Sequence, residues 1–347
     1  MSALAQRIAA QGLANRDATT LDVLRSWAVQ DSPPGAAAAA VAARAETVEL
    51  DEALAERSAV ALYNARTATA ILPAGEAAAF GTALLPDGDA ELKALLGQAL
   101  PGHDAALEKP VALAVEAISD ALDGRTLSRD ELHAELRGRL PQDMLPWCEG
   151  CQSHHARRGL LVMAGLHGRL CLAGRAGRQP AFARTDQWIG WAAPPRAQAG
   201  AELVRRFRAA YPPSDRAAFA AWAGIGTGHA RRLWQLVEEE EPDADPPAAR
   251  GVRLLAPGDP LLLARDRELL APDEALHKRL FKPSGSPGLV LVDGEPAGLW
   301  RARKKGKRLE VEVEPLGTLN LDAVQAEAER LAPLRGCTGV AVGSSRS

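Results

Sequence analysis

Apolar residues recur with helical spacing through most of the chain and with strand spacing only in a few stretches. Thr20 precedes Leu21, Val23, Leu24 and Trp27, an approximately helical apolar face, so residues 1–27 read as two short helices. Asp31-Ser-Pro-Pro-Gly35 breaks the chain sharply, and an Ala-rich helix is expected from Ala36 to Arg44. Residues 51–80 read as helical with an extended interruption near Asn64 to Leu72. Residues 86–110, punctuated by Gly and Pro, read as a connection. Helical runs return at Val111–Leu122 and, behind the capping-box pattern Ser128-Arg-Asp-Glu131, through Arg139. Ser153–His167 predicts a third helix. Arg169–Ala173 and Pro180–Arg184 read as short strands joined by a turn at Gly174-Arg-Ala-Gly177.

Three helices followed by a basic hairpin is the order of a winged helix, and it recurs at about 200–265. Leu203, Phe207 and Ala210 form a helical face. Ser214 is expected to cap a helix carrying Phe219 and Trp222. Gly224-Ile-Gly226 reads as a helix-turn-helix turn, and Ala230, Leu233, Trp234 and Val237 make the next helix amphipathic. Leu254-Leu255 and Leu261–Leu263 are expected as wing strands. From about 280 the pattern becomes a β-meander: Gly288–Val292, Leu299–Arg303 and Leu309–Glu314, the last alternating strictly, so one of its faces is buried and one is wet. Leu321–Leu334 returns to helix and 338–342 ends as a strand. The class is therefore α+β, mainly α.

The 347 residues allow two to four domains, and 47% of them are hydrophobic, which marks a globular chain. No stretch is long and apolar enough for a membrane span, and Met1–Gly12 lacks the apolar run of a secretory signal. Four cysteines make no disulfide framework, so a reducing cytoplasm is the expected location. The net charge of −3 does not announce a nucleic-acid ligand, but local patches decide such binding. Gly-rich phosphate loops, a Gly-x-Ser-x-Gly elbow and His-Glu-x-x-His are all missing.

One patch stands out. Gln152–Thr185 holds Arg157, Arg158, Arg169, Arg175, Arg178 and Arg184 and no acid, on the expected third helix and its wing, the elements that meet the major groove and the adjacent backbone. Arg231 and Arg232 occupy the matching helix of the second repeat, and Lys304, Lys305 and Lys307 crowd a hairpin tip. Such cations would displace counterions from phosphate. Cys148-x-x-Cys151-x-x-His154-His155 has ligand spacing for zinc, with Cys148, Cys151 and His154 as the candidate ligands of a structural ion and Cys171 or His167 as partners only if the fold brings them near. Gln30 and Asp31, at a helix end before a Pro-Pro-Gly turn, read on their own as caps.

The blocks Ala201–Ile225, Gly288–Trp300 and Val311–Pro315 resemble winged-helix DNA-binding proteins of the AlkZ/YcaQ type, and the resemblance extends back to about residue 20. It implies three tandem winged helices and a C-terminal β-barrel-like domain. The expected division is 1–110 for a first winged-helix region with N-terminal helices, 111–196 for a second with the basic wing, 197–265 for a third and 266–347 for a β-rich domain. It implies a double-stranded DNA partner and a monofunctional glycosylase that excises bulky alkylated purines and unhooks crosslinks without a cofactor; the sequence does not reveal the oligomeric state, with a monomer favoured. The family's Gln-x-Gln or Gln-x-Asp catalytic motif falls on Trp27-Ala28-Val29-Gln30-Asp31. Gln30 fills its second position, Asp31 follows, and Ala28 stands where Gln is expected. That departure keeps a non-catalytic DNA-binding protein, a regulator or damage sensor, as the alternative.

Overall fold

The computed structural model describes residues 2–344 apart from 28, 98, 104–105, 239–246 and 265. Helices outweigh strands in an α+β chain, and no helix among the described residues is long and apolar enough to cross a membrane. Two compact units emerge: Met1–Leu50 with Phe207–Ser214 and Glu240–Ser347, and Asp51–Arg206 with Asp215–Glu239.

In the second unit, helices Glu108–Ala121, Arg129–Arg137 and Arg158–Leu166 are followed by the antiparallel strands Cys171–Ala176 and Gln179–Ala183. The short strand Leu127–Ser128, between the first two helices, pairs with Gln179–Ala183. Ser128 and Glu131 close the expected capping box, and every residue from Gly159 to Leu166 is buried, so the third helix is the hub of this core. That helix starts five residues later than the sequence suggests, because 153–154 pairs with 147–148 in a small hairpin. Residues 59–63 and 69–73 form a second hairpin, whose Ala61 pairs with Leu172. All five residues of Ala59–Tyr63 are buried, so the strand shows no alternation and its alanines resemble helix. The expected connection at 86–110 contains the helix Gly88–Leu96, which buries Leu92, Leu95 and Leu96. Asp215, not Ser214, caps Arg216–Ala223, which ends at left-handed Gly224 before Thr227–Trp234.

The first unit is built on an open five-stranded sheet ordered Gly339–Ser344, Arg308–Pro315, Glu295–Lys305, Gly288–Val292 and Val252–Leu255. Its pairs are antiparallel except the first, which is parallel. The sheet does not close into a barrel among the described residues. Two wing-strand expectations are corrected here. Val252–Leu255 is an edge strand of this sheet, matched to the apolar Gly288–Val292, and Pro260–Leu263 is a helical turn with Pro260 in its first turn and Asp259 as cap. Both sheet faces are covered near Gly288–Val292. Val290 packs with Leu254, Trp300, Ala39, Val324 and Ala328, while Leu289 and Leu291 pack with Leu4, Ile8, Leu261 and Leu280. In Arg308–Pro315, Leu309, Val311 and Val313 are buried and the intervening glutamates are not, as the alternation predicts. Gly288 is needed because the Trp300 indole lies against it: an added Cβ would sit 2.3 Å from Nε1, which donates to the Leu255 carbonyl at 2.9 Å.

Ionic contacts fasten the N-terminal fifty residues to this sheet layer. Fully buried Arg44 makes a bidentate pair with fully buried Asp259, Nη1 to Oδ2 at 2.8 Å and Nη2 to Oδ1 at 2.9 Å, and its Nε donates to the Gln11 carbonyl at 2.8 Å. Arg7 pairs with Asp266 and donates to the carbonyls of Tyr211 and Pro213, and Arg16 pairs with Glu327. A buried pair stripped of one member leaves a charge that cannot be solvated, at a cost of about 3–5 kcal/mol. Arg44→Met should therefore destabilise the chain by about that amount in a urea titration. Arg44→Met with Asp259→Asn should lose less, because the stranded charge is removed while the cap remains. A double variant as unstable as the single would refute this account.

Candidate functional site

Gln30 ends the short strand Val29–Gln30 and is partly exposed. Its Nε2 donates to the Ser32 carbonyl at 3.3 Å. Asp31 Oδ1 accepts from the backbone N–H of Gly35 at 2.8 Å and of Ala37 at 3.1 Å. The reason is local. The helix Ala36–Ala42 consists of alanine and valine, its N-cap is Gly35 with no side chain, and its first N–H groups need an acceptor from elsewhere. Asp31 supplies it, so one oxygen of its carboxylate is committed to structure. The turn is packed from behind: a Cβ on Gly258 would lie 2.7 Å from the Ser32 carbonyl oxygen and 3.1 Å from Ala36 Cβ. Ala28 lies outside the described residues.

The candidate DNA-binding cations divide into two groups. Arg169 and Arg184 both pair with Asp186, and Arg184 also reaches Asp123 at 2.8 Å. Both line a cavity of about 620 Å³ together with Glu108, Glu116 and His167. Arg232 pairs with Glu91 at 2.7 Å, Lys305 faces Glu310 at 3.6 Å, and Lys304 Nζ donates to the carbonyls of Arg335 and Gly336. By contrast, Arg158, Arg175, Arg178, Arg231 and Lys307 are exposed and have no carboxylate partner among the described residues. Arg158 begins the third helix and donates to the Thr67 carbonyl at 3.3 Å, and Arg175 Nη2 donates to the Arg178 carbonyl at the hairpin tip. Arg157, partly exposed, donates to the Trp147 carbonyl at 2.7 Å.

The cysteine–histidine segment does not assemble as its spacing suggests. The ligand atoms of Cys148, Cys151 and His155 lie within 4.8 Å of one another, and His155 takes the place expected for His154. His154 is turned away, its Nδ1 on the Leu145 carbonyl at 2.8 Å and its ring edge-on to Trp147. His155 Nε2 is buried with no hydrogen-bond partner among the described residues, and the ring lies beside Cys148 and Cys151. Cys171 stays outside the cluster, buried at the start of the strand Cys171–Ala176, where burial pushes its thiol up to about 12.

A family model described as DNA glycosylase AlkZ-like matches residues 23–334. The chain belongs to the AlkZ-like DNA glycosylase family. In structure it is similar to the DNA glycosylase AlkZ of Streptomyces sahachiroi, with a TM-score of 0.75 and 20% identity over 99% of this chain and 98% of that one, a likeness of fold. No curated protein matches it in sequence. The AlkZ-like match takes in Gln30, Asp31 and every candidate cation named above.

Two features of this AlkZ-like chain escape a reading of its sequence. Trp147 is 42% exposed, an unusual position for a large aromatic, on the hairpin beside Arg157. His229 is 2% exposed with its Nδ1 3.2 Å from Glu91. Burial pushes His229 down to about 4, with Arg232 and Arg196 adding to the shift against the pull of Glu91. The contact is thus a neutral N–H donating to a carboxylate. Glu91 itself is raised by burial but lowered on balance, by Arg232 above all. Because the folded pKa of His229 lies below its ordinary 6.5, the unfolded chain binds the extra proton between these values. The contribution of His229 is therefore present above pH 6.5 and lost as pH falls towards 4. Thermal melts at stepped pH should show that loss. His229→Asn, which retains a neutral donor, should flatten the curve over that window, and an unchanged slope would remove His229 as its source.

Proposed function

We propose that this AlkZ-like protein binds duplex DNA through tandem winged helices and hydrolyses the N-glycosidic bond of bulky cationic alkylpurines, with Gln30 as the residue that orients water. The observation that carries the reading is the AlkZ-like match spanning Gln30–Asp31, together with a Gln30 side chain that is partly exposed while Asp31 is held in a cap. The helix–strand–helix–helix–hairpin order of residues 108–183 supports a winged helix there, with Arg158 on the third helix and Arg175 and Arg178 at the wing tip.

An N7-alkylated purine carries its positive charge before the reaction begins. Breaking the C1′–N9 bond returns the electron pair to the ring and releases a neutral base, so strong acid catalysis is not required. What remains is to stabilise the cationic sugar and deliver water to C1′. Gln30 Nε2 is engaged by Ser32, which leaves Oε1 to accept from that water. Asp31 Oδ2, outside the two capping bonds, adds negative charge and takes the proton that water sheds. With Ala28 in the first position of the motif, one polar contact of the usual pair is missing, so the rate should be low.

The test is release of free base from duplex DNA carrying a cationic N7-alkylguanine. Gln30→Ala should cut release by roughly 10²-fold with binding retained, and Ala28→Gln should raise it by about tenfold or more. Equal release from all three proteins, no faster than spontaneous loss, would leave the non-catalytic damage sensor that Ala28 favours. Binding has its own test. Arg175→Ala with Arg178→Ala should weaken duplex binding and reduce the slope of log K against log salt by about 2. Arg184→Ala, which breaks an internal ion pair, should leave that slope unchanged.

A further inference from the structure

We infer that Cys148, Cys151 and His155 form a zinc site that fixes the hairpin 147–154 in place. The donor set is two thiolates and one imidazole, which suits zinc above harder divalent ions. The Cys151 N–H donates to the Cys148 carbonyl at 3.2 Å, folding Cys-x-x-Cys into a tight turn that turns both sulfurs to one side. His155 is set up for metal in its tautomer. Its Nδ1 lies 2.9 Å from the Ala156 carbonyl and must carry the proton, so the lone pair is on Nε2, the buried nitrogen that has no partner among the described residues. In a tetrahedral zinc site such donors stand roughly 3.5–3.8 Å apart, within reach of side-chain adjustment from the spacing seen here. A fourth position remains, and the neighbouring donor is His133: it is buried, its Nδ1 has no partner among the described residues, and its ring centroid is 4.5 Å from that of His155.

The fold gives the ion work to do. The hairpin consists of two residue pairs, Trp147 with His154 and Cys148 with Ser153, far too little to hold a defined shape in water. It carries the exposed Trp147, and the Trp147 carbonyl accepts from Arg157 at the mouth of the third helix. A metal at its base would fix all three. This assignment does not depend on glycosylase activity.

The experiment is metal analysis of the full chain purified under reducing conditions after exposure to zinc sulfate. About one zinc per chain is expected. Cys148→Ser with Cys151→Ser should abolish it, His155→Ala should weaken it, and His154→Ala should retain it. Because a variant could misfold, the wild type is also titrated with a thiol reagent: Cys148 and Cys151 should be protected until a chelator is added, and the chelator should lower the melting temperature. Wild-type protein with reduced, unprotected thiols and no bound zinc would overturn the assignment. So would a Cys148–Cys151 disulfide formed in its place, or zinc that survives His155→Ala and is lost in His154→Ala.

Discussion

Arg44 and Asp259 are separated by more than two hundred residues of sequence, and both are wholly withdrawn from solvent. Their pairing does three things at once. It joins the helix Ala36–Ala42 to the layer that carries the five-stranded sheet, it ties the Gln11 carbonyl into the same knot, and it orients Asp259 to cap Pro260–Leu263 through the Leu261 N–H. Apolar contact alone would not define that docking, because an Ala-rich helix is smooth and offers few distinct ways to interlock. A bidentate guanidinium–carboxylate pair has one geometry. The turn at Asp31–Gly35 begins the same helix and leans on Gly258, next to Asp259. The candidate catalytic residues therefore inherit their position from a buried ion pair that never touches a substrate.

How much of this was legible in the sequence depended on the kind of signal. Capped, amphipathic helices were readable: Ser128-Arg-Asp-Glu131 became a closed capping box, and Leu309–Glu314 became a strand with one wet face. Uniformly buried segments were not. Ala59–Tyr63 has no polar face to set a period, and Leu254–Leu255 looks the same as a wing or as an edge strand until Gly288–Val292 is seen beside it. Leu261–Leu263 was misread for a related reason, since three leucines carry no period and the capping Asp259 with Pro260 was the better signal.

Charge was harder to read than hydrophobicity. The run from Gln152 to Thr185 contains no acid, but Asp186 follows it directly and takes up both Arg169 and Arg184, with Asp123 folding in from far upstream. Glu91 neutralises Arg232 in the same way across more than a hundred residues. A census of basic residues overstates the free positive surface whenever the carboxylates that answer them come from elsewhere in the chain. The arginines that remain, at the start of the third helix and the hairpin tip, have no carboxylate partner among the described residues.

The same distinction bears on Asp31. Read in sequence it is a carboxylate beside a candidate catalytic position, and read in structure it caps a helix whose own N-cap, Gly35, has no side chain. The two roles are compatible because capping uses one oxygen, but they are not equal in consequence. Loss of Asp31 would free the N-terminus of Ala36–Ala42 and move Gln30 with it, so any fall in base release would mix chemistry with position. Among the described residues the Gln30 side chain makes one long bond, to the Ser32 carbonyl, and caps no helix. A defect confined to release, with folding and binding intact, can therefore be read as chemistry at Gln30, whereas at Asp31 it could not.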